Sequence, residues 1–223
     1  ELQASRQGFP NNDLTDIDAG TSSTQTNSGY TRELSLMSYF GRINYDYAGK
    51  YLFEANFRAD GSSRFSPKNR WGYYPSLSAG WRISEEPFFE GIRENFNNLK
   101  IRYSYGQLGN QNVGYYDYIR KISIGNQNYL FGGDKPTTAT ISAPVASNLS
   151  WETSIHNNLG VDMSFLNNRL AFSADFYIRD TKGILGKGKS LPSIYGAAEP
   201  QVNSNNLRTK GYELVLGWRD SFK

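Results

Sequence analysis

The stretch Tyr51-Leu-Phe-Glu-Ala-Asn-Phe-Arg-Ala-Asp60 decides the fold. Tyr51, Phe53, Ala55, Phe57 and Ala59 fall on one parity, while Leu52, Glu54, Asn56, Arg58 and Asp60 fall on the other. Period two is the signature of a strand, because successive side chains leave opposite faces of the backbone. The flanking stretches repeat the split. Ser38-Tyr-Phe-Gly-Arg-Ile-Asn-Tyr45 precedes it; Arg70-Trp-Gly-Tyr-Tyr-Pro-Ser-Leu-Ser-Ala-Gly-Trp81 and Leu99-Lys-Ile-Arg-Tyr-Ser-Tyr-Gly106 follow it. Turn residues separate them, so the unit reads as an antiparallel meander with one apolar and one wet face.

Composition supports an all-β chain. Of 223 residues, 15% are aromatic, with 16 Tyr and 13 Phe, and there are 22 Gly. Aromatic residues favour strands and glycines favour tight turns. The net charge of +3 is dispersed, with no basic stripe of the kind nucleic acid requires. The absence of cysteine excludes disulfides and thiolate metal sites. No run approaches the ~18 apolar residues of a transmembrane helix. The chain starts at Glu1 without an initiator Met or a signal peptide and is expected to be a piece of a longer protein, with no internal domain boundary over 1–223.

Residues 1–32 read mostly as loop, rich in Ser, Thr, Asn and Gly. Asp13, Asp16 and Asp18 invite calcium, but Ile17 stands where an EF-hand needs an oxygen ligand, so a solvated turn is expected and no metal site. From Tyr39 on, seven strands are predicted, at 36–47, 51–60, 71–83, 99–109, 150–164, 169–180 and 209–219. Each is close to the ~9–11 residues a tilted strand needs to cross a bilayer. Leu34 and Leu36 have the wrong parity for the face of Tyr39 and Ile43, which predicts a bulge near Met37 or Ser38.

The connections alternate in length. Ala48-Gly49-Lys50 and Leu166-Asn167-Asn168 are tight, and Ser84 to Asn98 is intermediate, with a short helix at Pro87, Phe88 and Phe89. Gly61 to Arg70 is longer, and 110–149 and 181–208 are long. Outer-membrane barrels have short turns on the periplasmic side and long loops outside. The expected fold is therefore a transmembrane antiparallel β-barrel seen in part. Seven is an odd number, whereas single-chain bacterial barrels have even counts, so the first and last strands should not close on each other.

Charge placement is expected to follow the same division. The face of Tyr39, Leu77, Trp81, Leu159, Phe172, Phe176 and Tyr212 should be free of Asp, Glu, Lys and Arg, since a cation facing lipid at mid-depth costs roughly 2–4 kcal/mol. Arg58, Arg82, Arg102, Glu152, His156, Asp175 and Arg179 take the opposite parity and are the predicted lumen wall. A soluble sandwich would produce the same parity by burying its greasy face as a core. Strand length and loop asymmetry favour the membrane.

Little supports catalysis. His156 is the only histidine and lies on the polar parity between Ser154 and Asn158, where a hydrogen-bonding wall residue is expected rather than a base. Zinc would need further His or Cys ligands. The adjacent Glu85 and Glu86 point to different faces, which is poor for paired acid–base work. No Gly-rich phosphate loop is present, and no cofactor is implied. The longest loop is more suggestive. Tyr115, Tyr116, Tyr118, Tyr129 and Phe131 accompany Asn110, Gln111, Asn126 and Gln127. Flat aromatic faces and amides suit sugar rings and peptides; the same residues could instead pack the loop against itself.

These stretches resemble the SusC/RagA family of TonB-dependent outer-membrane transporters. The likeness extends through Arg58-Ala-Asp-Gly-Ser-Ser-Arg-Phe65, Glu86-Pro-Phe, Gly109-Asn-Gln, Asn148-Leu-Ser-Trp-Glu-Thr153, Asn158-Leu-Gly-Val-Asp162, Leu166-Asn-Asn-Arg-Leu170, Asp175-Phe-Tyr-Ile-Arg-Asp-Thr181 and Lys210-Gly-Tyr-Glu-Leu214. It covers about residue 30 to the end. Thr209 departs from an expected Asn, which affects that local turn. The resemblance implies about a third of the wall of a barrel of roughly 22 strands, in the outer membrane of a Gram-negative, Bacteroidetes-like bacterium. It also implies energised import of an oligosaccharide or oligopeptide, with a SusD-like lipoprotein as lid and the TonB–ExbB–ExbD complex acting through a plug that this stretch does not include. A non-transporting adhesin or a soluble all-β carbohydrate-binding module is the alternative.

Overall fold

In the computed structural model the described residues are 1–13, 16–126, 129–146 and 148–220, so Gln127 lies outside them. They form two compact units, Glu1–Leu34 and Ser35–Lys223. In the first, β1 (Leu2–Ser5) pairs antiparallel with β2 (Thr26–Gly29), where sequence reading expected loop. Polar contacts close this small unit. Arg6 donates to the Asp18 carbonyl at 2.9 Å and to Gln25 Oε1 at 2.9 Å, which ties the intervening short 3-10 turns Ile17–Ala19 and Ser22–Thr24 to the chain before them.

The second unit is built on one seven-stranded antiparallel sheet. In chain order its strands are β3 (Leu36–Tyr47), β4 (Tyr51–Ser62), β5 (Trp71–Arg82) and β6 (Phe96–Asn110), then β9 (Glu152–Phe165), β10 (Leu170–Lys187) and β11 (Gln201–Trp218). Between β6 and β9 the loop carries its own hairpin, β7 (Ile122–Asn126) with β8 (Thr137–Ile141). Each wall strand pairs with its neighbour along the meander, and among the described residues β3 and β11 do not pair with each other. The barrel is therefore open in this structure, as the odd strand number predicts.

The tight turns follow from local chemistry. Ala48 and Gly49 both have positive φ (55° and 68°), and Lys50 N–H donates to the Tyr47 carbonyl at 3.0 Å. Such a turn matches the right-handed twist of its strands. Asp46 Oδ1 accepts the Gly49 N–H at 2.8 Å and fixes it further. Leu166, Asn167 and Asn168 likewise run at positive φ, which Asn tolerates better than most residues. The third short connection holds the expected helix as a 3-10 segment, Pro87–Ile92.

The register aligns one apolar belt across the sheet. One row runs Tyr45, Phe53, Ala79, Tyr103, Leu159, Phe176, Tyr212, strand to strand. Among the described residues nothing covers it: Phe53 is 45%, Phe176 60% and Leu216 73% exposed. A soluble sandwich would have buried this face under a second sheet. Aromatic pairs mark both ends of the belt, Tyr39 stacked on Trp71 (5.9 Å) near the long loops and Tyr51 on Trp81 (6.4 Å) near the short turns. Eight residues separate Tyr39 from Tyr47, about 26 Å along a strand and about 20 Å at ~40° tilt, close to the apolar band of an outer-membrane barrel.

Three expectations are corrected. The β3–β4 register is continuous from Leu36 to Tyr47, so there is no bulge at Met37 or Ser38, and Leu36 lies on the polar face beside Phe40. The stretch 181–208 is mostly strand: β10 and β11 continue to Lys187 and from Gln201, leaving only 188–200 as loop. Register shifts around Ile184, with Gly183 at φ 67°, break the period-two pattern and hid this extension. Finally, the apolar parity is not free of charge. Lys210 pairs with Ile178 on it, and beyond them Arg208 is bound to Asp180 at 2.6 Å. These charges lie on the long-loop side of the Phe176–Tyr212 row, Lys210 in the register row of Leu77 and Ile43.

Candidate functional site

At the long-loop end the sequence builds a clasp. The connection 63–70 turns inward and buries Phe65 completely against Val113, Leu149 and Trp151. Phe65 and Trp151 have ring centroids 5.1 Å apart, and Tyr74 meets Trp151 edge-on at 5.9 Å. Hydrogen bonds follow the same seams. Arg64 Nη1 donates to the carbonyls of Gln111 (3.1 Å) and Val113 (2.7 Å), and its guanidinium lies 4.8 Å from the Tyr115 ring centroid. Trp151 Nε1 donates to the Arg70 carbonyl at 2.9 Å, and Asn69 Nδ2 to the Leu149 carbonyl at 3.2 Å. Asn203 accepts from Ser150 N–H at 2.9 Å and donates to the carbonyls of Ser150 (2.9 Å) and Gly183 (2.7 Å). Both ends of the long loop are thus fixed to the wall, and the exposed hairpin β7–β8 lies between them in the chain.

Two glycines make room for this clasp. A Cβ on Gly72 would lie 2.0 Å from Tyr74 Oη, and one on Gly109 would lie 1.9 Å from the same atom. Only residues without a side chain let the Tyr74 ring lie flat across β5 and β6.

Lower on the polar face, three strands share an ion cluster. Arg102 Nε donates to Asp162 Oδ2 at 3.0 Å, and its Nη2 donates to Asp175 Oδ2 at 2.6 Å. Ser173 Oγ and Asn158 Nδ2 donate to the other oxygens of these carboxylates at 2.7 and 2.8 Å. Gly160 lies beneath the guanidinium, where a Cβ would meet Arg102 Cζ at 2.4 Å. On the first two strands Arg42 pairs with Glu54 at 2.5 Å. The cluster is charged but internally paired, with its guanidinium and carboxylates held in place and a third exposed or less.

The predicted wall residues all lie on this polar face. Arg102 and Asp175 meet directly. Arg58 instead binds Asp60 on its own strand at 2.8 Å, and Arg82 donates to the Gly49 carbonyl at 3.1 Å, which ties it to a short turn. Glu152 stands opposite Asn110 at the top of β9. His156 Nε2 is 3.2 Å from Ser154 Oγ, with Gly106 and Arg179 opposite it on the flanking strands. The loop aromatics divide. Tyr115, Tyr116 and Tyr118 sit half-buried before the hairpin, whereas Tyr129 and Phe131 are 56% and 79% exposed at its tip. Sequence reasoning did not connect Arg64, Phe65, Trp151 and Asn203, although the first three stand in quoted motifs.

At the short-turn end, Glu86 gathers three donors on the apolar side of the sheet. Tyr51 Oη donates at 2.7 Å, Trp81 Nε1 at 3.1 Å and Lys50 Nζ at 3.1 Å. The Tyr51 hydroxyl first, then the indole and the ammonium, hold its carboxyl below the usual carboxylate range.

This two-faced wall has relatives. The family profile "TonB dependent receptor-like, beta-barrel" matches residues 2–223. The TonB-dependent receptor SusC of Bacteroides thetaiotaomicron is 38% identical over 194 residues, 85% of this chain and 19% of its own length. TonB-dependent receptor P3 of Formosa agariphila is 35% identical over 202 residues, 90% of this chain and 20% of its own. The RagAB peptide importer in its open-open state superposes with a TM-score of 0.79 at 27% identity, over 94% of this chain and 22% of that one. The siderophore receptor PirA of Pseudomonas aeruginosa, at 13% identity and a TM-score of 0.54, shares the fold. The chain spans about a fifth of the length of the curated relatives it matches. With an uncovered apolar belt, an open seven-stranded sheet and these relatives, the chain belongs to the TonB-dependent receptor-like β-barrel family and is outer-membrane barrel wall of the SusC/RagA type.

Proposed function

We propose that this wall serves a receptor that imports an oligosaccharide or oligopeptide across the outer membrane. The observation that carries the reading is the division of one sheet into an uncovered apolar belt and a face of ordered ion pairs, in a chain similar to SusC and to the RagAB peptide importer. A lipid-facing belt holds the wall in place. The opposite face, with Arg58, Arg82, Arg102, Glu152, His156, Asp175 and Arg179, is the lumen wall. Several of its charges are paired locally, Arg42 with Glu54, Arg58 with Asp60 and Arg102 with Asp162 and Asp175, which keeps that part of the surface wet without a field of one sign.

The clasp fits the same reading. Long loops that meet cargo need a fixed base, and Arg64, Phe65 and Trp151 supply it. Tyr129 and Phe131 at the hairpin tip present flat rings to the cargo or to a SusD-like lipoprotein lid, while Asn110, Gln111, Tyr115, Tyr116 and Tyr118 line the loop base. Energy comes from TonB–ExbB–ExbD through the receptor's plug.

Uptake of fluorescent oligosaccharides and oligopeptides by intact cells tests this. Saturable uptake of one class should vanish on deletion of the gene and on collapse of the proton-motive force. Cells that bind the probe at their surface without internalising it would support the adhesin reading instead.

A further inference from the structure

The 3-10 segment Pro87–Ile92 is fixed on its wall side and bare on the other. Glu86, at its start, is held by Lys50, Tyr51 and Trp81. Phe89, 5% exposed, packs edge-on against Phe96 (6.2 Å), which packs on Phe165 (4.3 Å). Tyr51, Trp81 and Phe165 all lie on the parity of the apolar belt. Behind the segment, Arg93 Nε donates to the Ser84 carbonyl at 3.1 Å, and Leu166 N–H to the Asn95 carbonyl at 3.4 Å. The segment therefore rests against the belt side at the short-turn rim.

Phe88 is nonetheless 70% exposed and Ile92 53%, and Leu166 in the next short turn is 50% exposed. This is not an edge effect. The segment joins β5 to β6, which are central strands with β4 and β9 present on either side. Large apolar groups held out by a fixed backbone, and continuous with a lipid-facing surface, match the side chains that seat peripheral helices at the boundary of headgroups and acyl chains.

We infer that Pro87–Ile92 is an interfacial membrane anchor, with Phe88 and Ile92 inserted among phospholipid headgroups at the short-turn edge of the belt. Its partner is the leaflet on that side, and the matched charges around it (Lys50 with Glu86, Arg93 with Glu85) keep the ionic groups satisfied beside lipid. The inference rests on the membrane placement of the belt and not on what the receptor carries.

The test is site-directed nitroxide labelling of the complete gene product, reconstituted in phosphatidylcholine bilayers, at Phe88→Cys, Ile92→Cys, Glu90→Cys and Phe57→Cys. This chain contributes no cysteine of its own. Labels at 88 and 92 should be relaxed more by oxygen than by an aqueous nickel chelate, as at 57, while the label at 90 should show the reverse. If 57 reads as lipid and either 88 or 92 reads as water, the anchor is refuted. If 57 also reads as water, the belt itself does not face lipid and the anchor falls with it.

Discussion

Replacing Phe65 by Ala should loosen the long-loop clasp and leave the wall standing. Phe65 is fully buried and packs with Val113 and Leu149 of the long loop and with Trp151, just before β9. Removing a buried Phe ring costs about 3–5 kcal/mol, the spread depending on how far the cavity collapses. Here the cavity would sit between segments tied by Arg64, Asn69 and Trp151, so collapse is restricted and the upper half of the range is expected. At 1.4 kcal/mol per factor of ten, local opening rises about seven hundred- to four thousandfold. The strands below keep their ladders of backbone hydrogen bonds, and their opening does not require the clasp to hold. Hydrogen–deuterium exchange reads both. Amides near Val113 and Trp151 should exchange faster by that factor, while those of Phe53 to Phe57 should not change. Equal loss in both regions would mean the clasp is part of one cooperative barrel core, and no loss in either would mean that Phe65 anchors nothing.

Further outcomes follow from the same contacts. Gly109→Ala places a Cβ on Tyr74 Oη and should cost about 1–3 kcal/mol, seen as a lower melting temperature that the added change Tyr74→Ala partly restores; Gly41→Ala, with nothing within 4 Å of the new Cβ, should be neutral. Glu86 has its folded carboxyl below the ordinary value of 4.5, so its contribution is present above that value and is lost as pH falls through the lower, folded one. Melting curves recorded from neutral pH downward should show an acid-dependent drop that is smaller in Glu86→Gln. Arg102→Ala leaves Asp162 and Asp175 without their shared cation, yet cross-strand pairs contribute only about 0.2–1 kcal/mol each. The yield of heat-modifiable, folded barrel should therefore persist while cargo uptake changes.

Much of the wall was legible because a strand with one face in lipid and one in water must alternate. The readings 36–47, 51–60 and 71–83 lie within two residues of β3, β4 and β5. Alternation fails where its cause fails. Above the bilayer neither face needs to be apolar, so Gln201 to Arg208 looked like loop although it is paired with β10. Lys210 shares the parity of Tyr212 and stands one pleat closer to the long loops, so parity alone did not anticipate it. The clasp was present as separate motifs, and no local pattern says that Phe65, Val113, Leu149 and Trp151 meet, since their contact depends on strand order and on the turn at 63–70. The loop aromatics looked like one cluster because they are close in sequence, but the β7–β8 hairpin carries Tyr129 and Phe131 away from Tyr115, Tyr116 and Tyr118.

The central claim is that this sheet stands in the outer membrane with its apolar belt toward lipid and its ion pairs toward water. A nitroxide scan of β4, one cysteine at a time from Tyr51 to Ala59 in the reconstituted gene product, tests it most directly. Accessibility to oxygen should peak at 51, 53, 55, 57 and 59, and accessibility to the nickel chelate at 52, 54, 56 and 58. A scan without that alternation, or with the two phases exchanged, would contradict it.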